Sequence, residues 1–171
     1  MRGGSIAMLL VLKSEEGGEE YAVLTIQPRI PAGSLGFVEI PAGMIDDEGT
    51  FAGAAAKEIK EEVGIEVEEK EMVDMTKLAV EGKEGEEGLQ EAVYASPGGS
   101  DEFIPIFLVR KSMKKEEIEG LKGKLTGLRE HGEKITLKIV KLSEVWREGA
   151  RDGKTLASLA LYEGLKREGR L

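Results

Sequence analysis

Seven consecutive apolar residues, Ile6 to Leu12, constrain this chain more than any other feature. A helix that crosses a bilayer needs roughly 20 apolar residues, so the run is too short to span one. It also lacks the cationic start and cleavage pattern of a signal peptide. A short apolar run bounded by a turn fits a strand inside a core, and Ile6–Lys13 is expected to be one. Ser14-Glu15-Glu16-Gly17-Gly18-Glu19 reads as a turn and Tyr21 to Ile26 as a second strand, which together make a hairpin. The chain has 171 residues, enough for about one domain with a core of its own.

The rest of the pattern mixes strands and helices. Pro28 and Pro31 are expected to interrupt the ladder and bring in a loop, since proline donates no backbone hydrogen bond. Phe37 to Ile40 reads as a short strand ending at Pro41-Ala42-Gly43. Thr50 to Val63 reads as a helix, with Thr50 as N-cap, an alanine-rich first half and Gly64 as the stop. Phe51, Ala55, Ile59 and Val63 share its apolar face. After a charged connector, Glu66 to Glu71, come a strand over Met72–Val80 and an acidic turn over Glu81–Gly88. Glu91 to Ala95 and Phe103 to Val109 read as strands around the loop Ser96 to Glu102. A short helix over Lys114–Gly120 and an alternating strand over Ile135–Val140 follow. Ser143 is expected to cap a short helix in which Trp146 packs, and Thr155–Arg167 closes the chain as an amphipathic helix. With no Ser/Pro-rich linker and no repeat, residues 1–171 read as a single mixed α/β domain.

Composition removes several function classes. The absence of cysteine excludes disulfides, a thiol nucleophile and thiolate zinc sites. One histidine excludes a multi-histidine metal centre. A net charge of -9 repels a polyphosphate backbone, so nucleic acid is not an expected partner. No membrane partner is expected. The reading is of a soluble intracellular protein, with cytoplasm and organelle both open.

The acid excess is 28 glutamates against 5 aspartates, and the helix over Thr50–Val63 concentrates it. Glu58, Glu61 and Glu62 stand three and four residues apart, which places them on one side of an α-helix. Like charges at that spacing destabilise an isolated helix. Such a face is either well solvated or neutralised by a hard cation, and spacing alone leaves both open.

The wider pattern resembles the Nudix box, G-x5-E-x7-R-E-U-x-E-E-x-G-U with U apolar. Gly43 and Lys57-Glu58-Ile59-Lys60-Glu61-Glu62-Val63-Gly64-Ile65 fit it without a gap. Two positions depart: Gly49 replaces the first glutamate, with Glu48 beside it, and Lys57 replaces arginine. Lysine keeps the charge but not the planar fork that holds neighbours bidentately. Glu39-Ile40-Pro41-Ala42-Gly43 is similar to the E-x-P-A-G entry of the ADP-sugar and ADP-ribose diphosphatase branch. Ala95-Ser96-Pro97-Gly98-Gly99, followed by Asp101-Glu102, is similar to that branch's acidic loop. Gly127-Leu128-Arg129-Glu130-His131-Gly132-Glu133 is similar to the plant-type ADP-sugar diphosphatases.

The resemblance implies the Nudix fold, an α/β/α sandwich with a mixed β-sheet. It implies hydrolysis of a nucleotide-diphospho-sugar, with ADP-glucose or ADP-ribose preferred, to a nucleoside monophosphate and a sugar phosphate. Mg²⁺ is the implied cofactor, with Mn²⁺ as a substitute. Glu58 and Glu62 would be direct metal ligands, Glu61 a ligand through water or a catalytic support, and the Ala42 carbonyl a backbone ligand. Gly43 would let the chain pass close to the metal. Glu102 would be the catalytic base or a further ligand, with Asp101 as the alternative. Arg29, Glu39 and Gly99 would contact substrate. A homodimer and a monomer are both compatible with the branch. Two other readings stand beside this one: a non-catalytic nucleotide-sugar binding module, and a house-cleaning nucleoside triphosphate pyrophosphohydrolase.

Overall fold

A strand with seven apolar residues in a row must be covered on both faces, and β1 (Ser5–Ser14) is covered along Ile6 to Leu12. Successive side chains of a strand point to opposite faces. Ile6, Met8, Leu10 and Leu12 enter one core, where they meet Val23, Ala55, Ile59 and Val63. Ala7, Leu9 and Val11 enter a second core, with Ile40, Met75, Ile106 and Tyr162. Each large side chain taken out of water in this way stabilises the fold by roughly 1.5–3 kcal/mol. The expected α/β/α sandwich follows from this alternation. The computed structural model describes residues 3–45, 50–82, 88–127 and 134–171.

β2 (Glu20–Arg29) returns antiparallel to β1, with Val11 opposite Ala22. Contrary to expectation, Pro28 does not end the pairing. β2 continues to Arg29, and its ladder with β3 (Ser34–Glu39) shifts register between Gln27 and Arg29. Such an irregularity accommodates a residue with no N–H to give. Pro31 instead opens a 3₁₀ turn, Ile30–Ala32, closed by Gly33 at φ 67°. The chain then adds a strand that Pro41-Ala42-Gly43 did not suggest: β4 (Ala42–Met44) pairs with β1, Gly43 lying opposite Ile6.

α1 (Phe51–Glu58) begins as expected, the Thr50 hydroxyl accepting the Gly53 N–H at 2.9 Å. It widens into a π segment, Ile59–Val63, before Gly64 stops it at φ 78°. The strand expected over Met72–Val80 is instead β5 (Met72–Asp74) followed by α2 (Met75–Val80). The Asp74 carboxylate accepts the Lys77 N–H and the Thr76 hydroxyl, a local cap that turns the chain into a helix. β6 (Val93–Tyr94) and β7 (Phe103–Ile104) form a separate ribbon. Pro105 divides β7 from β8 (Ile106–Met113), where one strand was expected. β8 runs parallel to β1, with Leu108 opposite Leu9.

α3 (Lys115–Gly120), β9 (Leu125–Thr126), β10 (Ile135–Lys141), α4 (Val145–Glu148) and α5 (Gly153–Arg167) complete the chain. Ser143 lies inside a 3₁₀ turn, and α4 has no side-chain cap. Trp146 is 55% exposed instead of packed, with the Arg147 guanidinium over its ring. The main sheet runs β5-β8-β1-β2-β10-β9, with β3 on β2 and β4 on β1. α1 and α3 cover the first core, while α2, α4 and α5 cover the second. Among the described residues, no helix is long and apolar enough to cross a membrane.

Candidate active site

A cavity of about 470 Å³ opens where β2, β3, β4, the π segment and the start of α5 meet. Five acids line it, Glu39, Glu58, Glu62, Glu102 and Asp152, with two bases, Arg29 and Lys154. The two signs are arranged in distinct groups.

One group is built by the passage of β4 across the helix. Gly43 has no side chain, and Glu58 uses the space: a Cβ at Gly43 would lie 1.9 Å from the Glu58 carboxyl carbon. The neighbouring Ala42 N–H donates to Glu62 Oε2 at 3.1 Å, and Glu62 is only 2% exposed. β4 therefore gathers both carboxylates with its backbone. The Thr126 hydroxyl donates to the Glu62 carbonyl, and the Gly127 N–H donates to the Glu61 carbonyl at 3.3 Å. These bonds hold the π segment against β9.

Glu61 is half-buried and does not line the cavity. The wider i→i+5 turn rotates it further from Glu58 than an α-helix would, while Glu62 stays alongside. Among the described residues, no three acidic side chains converge on a single metal position. Mg²⁺ does not need three: it binds one or two carboxylates and completes its shell with water and substrate phosphates. Glu58 and Glu62, packed against a strand that leaves room only for a glycine, fit that requirement. Glu48 and Gly49 lie outside the described residues, as do Arg129, Glu130, His131 and Glu133. Lys57 is exposed on α1.

The second group is an ion network around Glu39, which is 1% exposed. Arg29 Nε donates to Glu39 Oε1 at 2.7 Å, and Lys154 Nζ donates to Oε2 at 2.8 Å. Lys154 also donates to Asp152 Oδ1 at 2.9 Å. Asp152 is the N-cap of α5: its carboxylate accepts the Lys154 and Thr155 N–H groups and the Thr155 hydroxyl. That hydroxyl in turn accepts the Ile40 N–H at 3.0 Å, which ties α5 to the end of β3. Burial of Lys154 works against its charge, but Asp152 and Glu39 outweigh burial and hold its pKa above the ordinary 10.5.

Glu102 completes the lining from the loop before β7. The Ser5 hydroxyl donates to its Oε1 at 2.9 Å, and its own N–H donates to Ser100. Asp101 is exposed and outside the lining. Gly99 also stays outside: its N–H donates to the Ser96 carbonyl and closes the turn.

Of the residues expected at a site, the fold brings Arg29, Glu39, Ala42, Gly43, Glu58, Glu62 and Glu102 to one cavity. Gln27, Asp152 and Lys154 join them without having been foreseen. One signal was available for Lys154. A cation in the first turn of a helix opposes the macrodipole and calls for a carboxylate partner.

A glycine-bound pair of helical carboxylates facing a strand is the arrangement that the box at Gly43–Ile65 encodes, and the NUDIX domain family matches residues 4–159. The chain belongs to the Nudix family. It is 44% identical over 169 residues to Nudix hydrolase 14, chloroplastic, of Arabidopsis thaliana, a match covering 98% of this chain and 52% of that protein. A 55-residue stretch is 44% identical to putative nudix hydrolase 2 of Caenorhabditis elegans, covering 32% of this chain and 24% of that protein. The chain thus spans about half the length of the first relative and about a quarter of the second. The Nudix fold is shared with a mutT/nudix family protein from Listeria innocua (TM-score 0.58, 14% identity, 98% of this chain and 94% of that one). It is shared as well with a C. elegans Ap4A hydrolase (TM-score 0.59, 14% identity, 96% and 98% covered).

Proposed function

We propose that this Nudix chain hydrolyses the pyrophosphate bond of a nucleotide-diphospho-sugar, with ADP-glucose or ADP-ribose preferred, in a Mg²⁺-dependent reaction. The observation that carries the reading is one cavity holding Glu58 and Glu62 against β4 on one side and Arg29 on the other. Acids outnumber bases in its lining, so a diphosphate enters only when a cation offsets the carboxylates. Glu58 and Glu62 would hold that cation, with the Ala42 carbonyl as a backbone donor and Glu61 as a support through water. When bound, the ion would neutralise phosphate oxygens and acidify a water.

The chain's own residues supply the rest. Water attacks one phosphorus, the bond to the bridging oxygen breaks, and the bridge leaves on the other phosphate. Glu102 takes the proton from the attacking water, in an orientation set by the Ser5 hydroxyl. Arg29, fixed through its Nε by Glu39, turns its remaining N–H groups to phosphate. The likeness of Glu39-Ile40-Pro41-Ala42-Gly43 and of the loop before Glu102 to the ADP-sugar branch supports the substrate class.

Incubating the protein with Mg²⁺ and ADP-glucose, ADP-ribose, UDP-glucose, CoA and nucleoside triphosphates tests the reading. AMP and a sugar phosphate are expected from the ADP-sugars. Pyrophosphate released from triphosphates alone would select the house-cleaning activity. Calorimetric binding of ADP-ribose without turnover would select a binding module.

A further inference from the structure

Gln27, near the end of β2, is one of the residues that line the cavity and is only 8% exposed. Its amide nitrogen, Nε2, is buried and has no hydrogen-bond partner among the described residues. A buried donor left unmade is a cost to the fold that a ligand can relieve. Two more donors line the same cavity. Lys154 Nζ carries three N–H bonds and, among the described residues, uses two, on Glu39 and Asp152. The Arg29 guanidinium carries five and gives its Nε to Glu39. The carboxylates beneath them are occupied. Glu39 has a cation on each oxygen, and Asp152 is engaged by the first turn of α5. Both are almost fully buried, which leaves them to position the cations and not to meet a ligand. The cost of holding Lys154 in the first turn of a helix, against its dipole, points the same way.

We propose that the Gln27 amide nitrogen and Lys154, together with Arg29, form a hydrogen-bond-donor subsite that receives the phosphate oxygens of the substrate's diphosphate, with Glu39 and Asp152 as positioning residues. Two cations and the amide nitrogen of Gln27 offer hydrogens only, so the matching group is rich in acceptors and negatively charged. Phosphate meets that description better than a base or a sugar. The inference deepens the hydrolase reading and rests on it for the identity of the substrate, but not for the chemistry bound.

Gln27→Met separates this role from a structural one. Methionine is similar in shape and has no donor to strand, so its melting temperature is expected to equal or exceed the wild type's. Calorimetry on the full chain, with inorganic pyrophosphate and with ADP-ribose in the presence of Ca²⁺, is the direct test. Gln27→Met is expected to weaken both several-fold, and Lys154→Met about tenfold or more. In turnover, the loss falls on KM more than on kcat, and Lys154→Arg recovers part of it. Should Lys154→Met fail to fold because it leaves the buried Glu39 Oε2 without its cation, the Glu39→Gln/Lys154→Met pair removes both charges and reads the same affinity. If pyrophosphate binds wild type and variants equally while only the melting temperature moves, the subsite is overturned. It is also overturned if adenosine or glucose affinity falls and pyrophosphate affinity does not. Pyrophosphate binding that depends on Gln27 and Lys154, in a protein that leaves ADP-sugars intact, would keep the subsite and remove the substrate reading.

Discussion

At the scale of single residues, the cavity depends on an atom that is missing. Gly43 leaves the space in which the Glu58 carboxylate lies, and any Cβ there would collide with it. Gly43→Ala is expected to displace Glu58 and lower kcat by about 10²-fold, the order of loss from an ångström-scale misplacement, while circular dichroism stays unchanged. Glu62→Gln keeps an oxygen for the Ala42 N–H but loses the charge, so it is expected to fold and to lose most turnover. Near-wild-type rates in steady-state kinetics would remove Glu62 from the machinery. These residues were legible because the box fixes their spacing along one chain segment. Lys154 was not, because its partner Glu39 lies 115 residues away and only the fold joins them. Gln27 was not, because an unpartnered amide is a property of the packed interior and leaves no trace in the pattern of residues.

At the scale of elements, caps decide where strands give way to helices. Asp74 converts what the apolar pattern suggested was one strand into β5 and α2, since Met72 to Val80 carries no period that separates the two. Asp74→Ala is expected to cost about 1 kcal/mol in urea unfolding. Asp152→Ala should cost more, about 2–3 kcal/mol, because it uncaps α5, leaves the buried Thr155 N–H and hydroxyl without their acceptor and takes away one of the two carboxylates on Lys154. Lys154 is more basic in the folded state than in the unfolded one. Its contribution is therefore whole below pH 10.5 and is lost as pH rises through its folded pKa. The stability advantage of wild type over Lys154→Met in urea titrations should shrink across that range. Pro28 misled in the opposite direction from Asp74. Proline normally ends a ladder, but a register shift in β2 lets the pairing continue to Arg29 and so carries that side chain to the cavity.

At the scale of the whole molecule, the sandwich was the most legible part. An apolar run in which alternate residues feed two cores admits few other architectures, and β1 occupies the middle of the sheet. Leu10→Ala is expected to cost about 2–5 kcal/mol, since the site is enclosed and cannot collapse freely. What the sequence pattern could not convey is that the acid excess is locally answered. Most of the described glutamates face solvent, while those in the cavity stand against a strand backbone, the Ser5 hydroxyl, or Arg29 and Lys154. The central claim is that this arrangement splits a nucleotide-diphospho-sugar. Phosphorus NMR of ADP-glucose and ADP-ribose, incubated with Mg²⁺ and either wild type or Glu62→Gln, tests it most directly. The account predicts that wild type replaces the two diphosphate resonances with those of AMP and a sugar phosphate, and that Glu62→Gln leaves them nearly intact. Unchanged diphosphate resonances with folded wild-type protein, or equal cleavage by both proteins, would contradict it.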